Sequence, residues 1–423
     1  MNTDSLVLRF RPQLRADISL PPSKSISARA LIVQALAGVS ERVENLSDCD
    51  DTLAMLRALG EGRREEMVDI GASGTAMRFL TAFFATREGE EHVLTGTPRM
   101  LQRPIGPLVD AFRSLGADID YAGETGFPPL RIRGRRLQGG RVSIAAHVSS
   151  QYISALMMVG PILPRGLEIE LEGTVASLPY IIMTQRLMEQ WGARVERRGA
   201  SLCVKPGGYQ PVATYRIEPD WSAASYWFSL VALSPDANAR VWLRGLSLRS
   251  IQGDSVCAEL FRTLGVGMQE TAEGIVLTKN AEPETALRQA WSESVQTFSM
   301  GDCPDLAQGL VVAAALRGVP FRMTGLESLK IKETDRIAAL ISEMRKLGCI
   351  VRQEDEGTLS FSPSDYRPSA SPPRIDTFDD HRMAMAFAPA AWQFPGLTIM
   401  QPQVVTKSYP RFWHDLSCLL QED

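Results

Sequence analysis

Gly71-Ala72-Ser73-Gly74-Thr75-Ala76-Met77-Arg78 runs from a glycine turn through a hydroxyl residue into a helix rich in Ala, Leu and Phe. Its pattern returns along the chain. Segments opening near Ser23, Ser73, Ser149, Asp220, Asp302 and Asp379 each begin with small or polar residues and continue into a run of Ala, Leu and Met. Most spacings are about 70–80 residues, longer than a solenoid repeat and enough for a small α/β unit. A second helix follows in each unit. Five of these end on an apolar residue followed by glycine: Leu59-Gly60, Leu115-Gly116, Trp191-Gly192, Leu264-Gly265 and Leu347-Gly348. Glycine just past a helix is the usual left-handed cap. β-like stretches such as Ala193 to Val195 follow, so the unit reads strand, helix, strand, helix, strand, strand.

Six units divide into two α/β domains of three. A chain of 423 residues exceeds one ordinary hydrophobic core, and two domains of roughly 200 residues are expected. Leu20-Pro21-Pro22 and Glu218-Pro219 are the natural crossings, because proline breaks regular elements. The expected domains are residues 1–20 with 218–423, and residues 21–217.

Bulk composition excludes several classes of function. Lys plus Arg is 45 and Asp plus Glu is 49, a formal charge of −4, so nothing global points to nucleic acid. No apolar run resembles a signal peptide core or a membrane span. The six cysteines form no CxxC pair and read as reduced thiols, which predicts a cytoplasmic protein. The four histidines have no metal-ligand spacing, so no metal is expected. Walker A, GxGxxG and GxSxG patterns are absent.

What remains is a set of cations and hydroxyls at helix starts. Ser23-Lys24-Ser25-Ile26-Ser27-Ala28-Arg29 can cap a helix and hold an anion, although serine capping alone is common. Gly74 would let a ligand approach the backbone closely. Arg103 stands before a helix whose first position is assigned to Pro104. Ser149-Ser150-Gln151, and Ser177 with Tyr180, open two further helices. Asp305 reads equally as a base or as a helix cap. Lys330 to Arg336 reads by itself as a solvated face. Asp379-Asp380-His381-Arg382 puts basic groups where a helix dipole gives them nothing, which a bound anion would explain. Lys407 precedes the final helix. If the helix starts of both domains face one cleft, Lys24, Arg103, Arg336, Arg382 and Lys407 converge on small, multiply charged anions.

The strings Ser-Lys-Ser-Ile-Ser-Ala-Arg (23–29), Gly-Thr-Ala-Met-Arg (74–78), Arg-Pro-Ile-Gly-Pro-Leu-Val-Asp-Ala (103–111), Ser-Ser-Gln-Tyr (149–152), Lys-Glu-Thr-Asp-Arg (332–336) and Asp-Asp-His-Arg-Met-Ala-Met-Ala (379–386) resemble the 5-enolpyruvylshikimate-3-phosphate synthase family. They occur in order from about Leu20 to Lys407. The resemblance implies two domains of three βαβαββ repeats, an inverse α/β barrel-like fold with its active site in the interdomain cleft. It implies transfer of enolpyruvyl from phosphoenolpyruvate to shikimate 3-phosphate, without cofactor, by a monomer. Carried over motif by motif, Ser149, Ser150 and Ser177 would hold the shikimate phosphate. Lys24, Ser25, Arg29, Gln151, Tyr180, Asp305 and Lys332 would line the shikimate site. Lys24, Gly74, Arg103, Gln151, Arg336, Arg382 and Lys407 would hold phosphoenolpyruvate, with His381 and Glu333 beside the reacting carbons. Asp305 would be the base, and Lys24 or Glu333 the acid. The chain departs from the family pattern at Ala72, Phe79, Leu178 and Ser328. Two rivals are weighed: the related transferase acting on UDP-N-acetylglucosamine, which usually carries a loop cysteine missing between Thr97 and Pro104, and a non-catalytic anion-binding domain.

Overall fold

The computed structural model describes residues 4–40, 42–60, 65–146, 149–173, 175–279, 287, 289, 291 and 294–421. The chain divides into two compact units, Met1–Pro21 with Pro219–Asp423, and Pro22–Glu218.

The inner unit, Pro22–Glu218, contains two four-stranded sheets of identical topology. One has the order Met67–Asp69, Glu91–Thr95, Leu130–Arg133, Asp118–Tyr121. Its first pair is parallel, with Val68 opposite Leu94, and its other pairs are antiparallel. The second has the order Gly140–Ala145, Leu167–Glu172, Ser201–Val204, Val195–Arg198 and again one parallel pair, with Val142 opposite Ile169. A parallel pair needs a crossover, and a helix supplies it each time: Gly74–Ala85 in the first sheet and Ser150–Val159 in the second. Among the described residues, the third repeat pairs only Tyr215–Arg216, parallel to Val43–Glu44. Its first strand comes from the far end of the unit, after the helix Lys24–Leu36 that it should precede.

The outer unit repeats the scheme. One sheet has the order Arg15–Ser19, Arg240–Arg244, Gly274–Lys279, Val266–Thr271, and another Gln296–Ser299, Phe321–Thr324, Leu359–Phe361, Arg352–Gln353. In the first of these, the whole inner unit is inserted between the strand Arg15–Ser19 and its crossover helix Trp221–Leu233. The third sheet joins Arg374–Ile375 and Leu397–Met400 to the N-terminal strand Ser5–Leu8, which closes it antiparallel.

Within each unit the three crossover helices pack on one another: Lys24–Leu36, Gly74–Ala85 and Ser150–Val159 in the inner unit, and Trp221–Leu233, Ala307–Leu316 and His381–Phe387 in the outer. These helices are apolar around most of their circumference, as expected for helices surrounded by protein. All ten residues of Ala307–Leu316 are buried. The second helix of a repeat, such as Gly106–Ser114 or Arg336–Lys346, has one polar face.

Local chemistry sets the helix starts. The side chains of Ser23, Ser73, Ser149, Asp220, Asp335 and Asp380 each accept a backbone N–H from the first turn of the helix that follows. The last crossover helix is capped by Asp380, and Asp379 before it has a φ of 53°. Two expectations need correction. Pro104 does not begin a helix: Gly106 is the first residue and Pro107 occupies the first turn. Gly60 ends its helix with φ −93°, whereas Gly116, Gly192, Gly265 and Gly348 take the left-handed conformation.

Candidate active site

In the outer unit, residues from four separate segments meet in one ionic network. Asp305 lies in the 3-10 turn Pro304–Leu306, ahead of the buried helix Ala307–Leu316. Its side chain caps nothing. Instead its Oδ1 accepts from Arg336 Nη1 at 3.1 Å, and its Oδ2 accepts from Arg382 Nη2 at 2.9 Å. Lys332 Nζ stands 3.6 Å from Oδ1. Burial raises the Asp305 pKa, but Arg382, Lys332 and Arg336 together outweigh it and hold the carboxyl well below the usual carboxylate range.

Arg336 is the first residue of the helix Arg336–Lys346, behind the Asp335 cap. Its guanidinium is 1% exposed, and all three of its nitrogens meet carboxylates. Nε donates to Asp380 Oδ2 at 2.6 Å, Nη2 to Glu333 Oε2 at 2.9 Å, and Nη1 to Asp305. Burial disfavours the charged guanidinium, but Asp380, Glu333 and Asp305 overcome this and raise its pKa above the ordinary arginine value. Lys407 Nζ approaches Glu333 Oε1 at 3.7 Å. His381, 1% exposed, places Nδ1 3.6 Å from Asp380 Oδ1. Four cations, Lys332, Arg336, Arg382 and Lys407, are therefore interleaved with Asp305, Glu333 and Asp380. Such a cluster can exchange its own carboxylates for the oxygens of a bound anion, because arginine forks onto carboxylate and phosphate alike.

The inner unit collects helix starts. Arg29, fully buried, donates from Nε to Thr184 Oγ1 at 2.7 Å, from Nη1 to the Ser25 carbonyl at 3.0 Å and from Nη2 to Ser154 Oγ at 3.3 Å. It thereby ties three helices together, the one carrying Tyr180 among them. Burial lowers its pKa to about 10, opposed by Tyr180, so it stays charged at neutral pH. Gln151 Nε2 donates to Thr75 Oγ1 at 3.1 Å, linking the helices that begin at Ser150 and Gly74. Ser149 Oγ accepts from the Gln151 N–H, and Ser150 beside it is buried. Ser177 precedes the helix Leu178–Gln190 with φ 54°, and Tyr180 lies in that helix's first turn. Lys24, at the first position of its helix, pairs with the buried Asp51 at 3.1 Å. Converged helix N-termini with cations beside them favour anions.

Arg103 is seated directly against the backbone of Gly74. A Cβ on Gly74 would lie 2.6 Å from Arg103 Nη1 and 2.8 Å from Cζ. Two supports here were not read from the sequence. Arg78 Nη2 donates to the Pro104 carbonyl at 2.7 Å, and Tyr152 OH donates to the same oxygen at 2.5 Å. Both fix the loop that carries Arg103. The only signal was their position near the start of the motif helices, where a buried polar group needs a partner.

The EPSP synthase (3-phosphoshikimate 1-carboxyvinyltransferase) family model matches residues 9–66 and 61–416. The chain belongs to the EPSP synthase family. It is 51% identical over 405 residues to a 3-phosphoshikimate 1-carboxyvinyltransferase of Bacteroides fragilis, covering 96% of this chain and 95% of that one. A 3-phosphoshikimate 1-carboxyvinyltransferase of Cellvibrio japonicus is 37% identical over 424 residues, with 94% and 95% covered. In fold, the chain is similar to a solved structure of EPSP synthase from Acinetobacter baumannii, with TM-score 0.74, 20% identity and 98% of each chain covered. Membership makes the chain a transferase, and EPSP synthase architecture extends over its whole length. No described helix is long and apolar enough to cross a membrane.

Proposed function

We propose a division of labour among these residues for the family's reaction, which moves the enolpyruvyl group of phosphoenolpyruvate to the 5-hydroxyl of shikimate 3-phosphate and releases phosphate in the shikimate pathway. The reaction needs an acceptor proton removed, a new bond from the acceptor oxygen to C2 of phosphoenolpyruvate, and a proton on its methylene carbon. Loss of that C2–phosphate bond and of a methyl proton then restores the double bond.

The observation that carries the assignment is the Asp305–Arg336–Arg382 constellation. Asp305 is the base, and Arg336, Arg382 and Lys407 hold phosphoenolpyruvate with Lys24, Arg103, Gln151 and the Gly74 backbone. Without ligand, Asp305 is a weak base, because three cations stabilise its ionised form. An anionic substrate that takes up those cations removes this stabilisation and raises the basicity of Asp305 at the moment of use. The same cations then meet the charge on the departing phosphate. Ser149, Ser150 and Ser177 take the phosphate of shikimate 3-phosphate, while Lys24, Ser25, Arg29, Gln151, Tyr180, Asp305 and Lys332 line its ring. By residue type, Lys24 or Glu333 supplies the proton to the methylene carbon, and His381 stands beside the reacting carbons. The enzyme works as a cytoplasmic monomer; its described cysteines are all free thiols, which suits a reducing compartment.

Asp305→Asn tests this. A base acts in the transition state, so kcat should fall by roughly 100- to 10,000-fold, with shikimate 3-phosphate affinity changed by less than about fivefold. Equal losses in turnover and affinity would make Asp305 a binding residue only.

A further inference from the structure

Gln252-Gly253-Asp254 lies outside every motif used so far, yet it is clamped to the start of the helix Trp221–Leu233. Gln252 Oε1 accepts from the Trp221 N–H at 3.0 Å, and its Nε2 donates to the Pro219 carbonyl at 2.8 Å. The next turn, Gly253–Val256, buries Asp254, which is 3% exposed. Ser222, the second residue of the helix, donates its hydroxyl proton to Asp254 Oδ2. The same Ser222 Oγ accepts from Arg382 Nη2 at 3.5 Å. Arg382 Nη2 also donates to Asp305 Oδ2, and its Nη1 donates to the Asp305 carbonyl oxygen at 3.1 Å and to Tyr226 OH at 3.4 Å.

We propose that Asp254 and Ser222 form a positioning pair that orients the Arg382 guanidinium, and through it the Asp305 carboxylate, for phosphoenolpyruvate. The inference rests on the reading above that Arg382 holds that substrate. When an anion draws Arg382 away from Asp305, two of its substrate-independent contacts, to the Tyr226 and Ser222 hydroxyls, decide where the guanidinium settles. Ser222 is an effective acceptor because its proton is committed to Asp254. A hydroxyl whose hydrogen points at a buried carboxylate must present its lone pairs elsewhere. Burial first, and the Asp305 carboxylate second, push Asp254 up to about 6, with Arg382 and Ser222 opposing. It sits as a second carboxyl group behind Arg382, joined to it through Ser222.

Steady-state kinetics of Ser222→Ala, Asp254→Ala, Asp254→Asn and the double variant Ser222→Ala/Asp254→Ala test the pair, with Arg382→Gln as reference. Weakening one hydrogen bond to a charged group should raise KM for phosphoenolpyruvate roughly tenfold in Ser222→Ala and in Asp254→Ala. KM for shikimate 3-phosphate should stay within about twofold. The double variant should be no worse than the poorer single, because both substitutions break one chain of contacts. Asp254→Asn keeps an acceptor for Ser222 and should restore most of the affinity. Additive losses, parallel rises in both KM values, or no rise in Ser222→Ala, which removes one oxygen and should fold normally, would each overturn the pair. If Arg382→Gln itself leaves KM for phosphoenolpyruvate unchanged, the substrate reading of Arg382 falls instead.

Discussion

Arg103 can lie against the backbone at Gly74 because no side chain intervenes. Gly74→Ala puts a methyl 2.6 Å from Nη1, and the guanidinium must move. A displaced charge-assisted hydrogen bond is worth about 1.5–3 kcal/mol, so KM for phosphoenolpyruvate should rise roughly ten- to a hundredfold, with the melting temperature nearly unchanged. Unaltered KM would mean that Arg103 does not serve that substrate. Residue-level chemistry was partly legible. Lys24, Arg336 and Arg382 could be singled out in the sequence because they stand in the first two positions of helices, where a positive side chain has no structural reason to be. The roles of Arg78 and Tyr152 could not, since they hold a carbonyl at Pro104 that is distant in sequence from both. Nor could the Asp305 alternative be resolved. Cap or ion pair depends on residues 332, 336 and 382, which only the fold brings to it.

Helices in this chain are stopped and started by chemistry within four residues, which is why their starts were the most legible feature. Asp335 accepts from the Ile337 and Ala338 N–H groups at 3.1 Å. Asp335→Ala should cost about 1 kcal/mol of stability, as for other lost caps, and should also weaken substrate binding by loosening Arg336 one residue on. Denaturant unfolding combined with KM for phosphoenolpyruvate checks both; a stability loss with no change in KM would separate the cap from the site. Helix ends were read less well. Gly348 has φ 86°, and a Cβ there would overlap the Arg367 carbonyl oxygen, so glycine is required twice over. Gly60 has the same Leu-Gly signature but ends its helix through a bond from its N–H to the Leu56 carbonyl, at φ −93°. The dipeptide does not encode which occurs.

At the scale of the whole chain, one unit is an insertion in the other. The inner unit leaves and re-enters side by side: the Ser23 N–H donates to the Glu218 carbonyl at 2.9 Å, and the Asp220 N–H donates to the Pro21 carbonyl at 2.9 Å. Its sheets and crossover helices lie between residues 22 and 218. A segment of residues 22–218 expressed alone should therefore fold and unfold in one cooperative transition. A circular dichroism spectrum of unfolded chain would show that it depends on the outer unit. The repeat was visible in the sequence because six helix starts recur in step. Its permutation was hidden, since strands of two to five residues such as Tyr215–Arg216 and Ser5–Leu8 carry too little pattern to be assigned to a distant sheet.

Transfer of enolpyruvyl to shikimate 3-phosphate by these two sets of cations can be followed as phosphate release from phosphoenolpyruvate, with purified protein and either shikimate 3-phosphate or UDP-N-acetylglucosamine as acceptor. Release that requires shikimate 3-phosphate, and that is lost in Asp305→Asn, is the predicted result. Release with UDP-N-acetylglucosamine alone, or with neither acceptor, would contradict it.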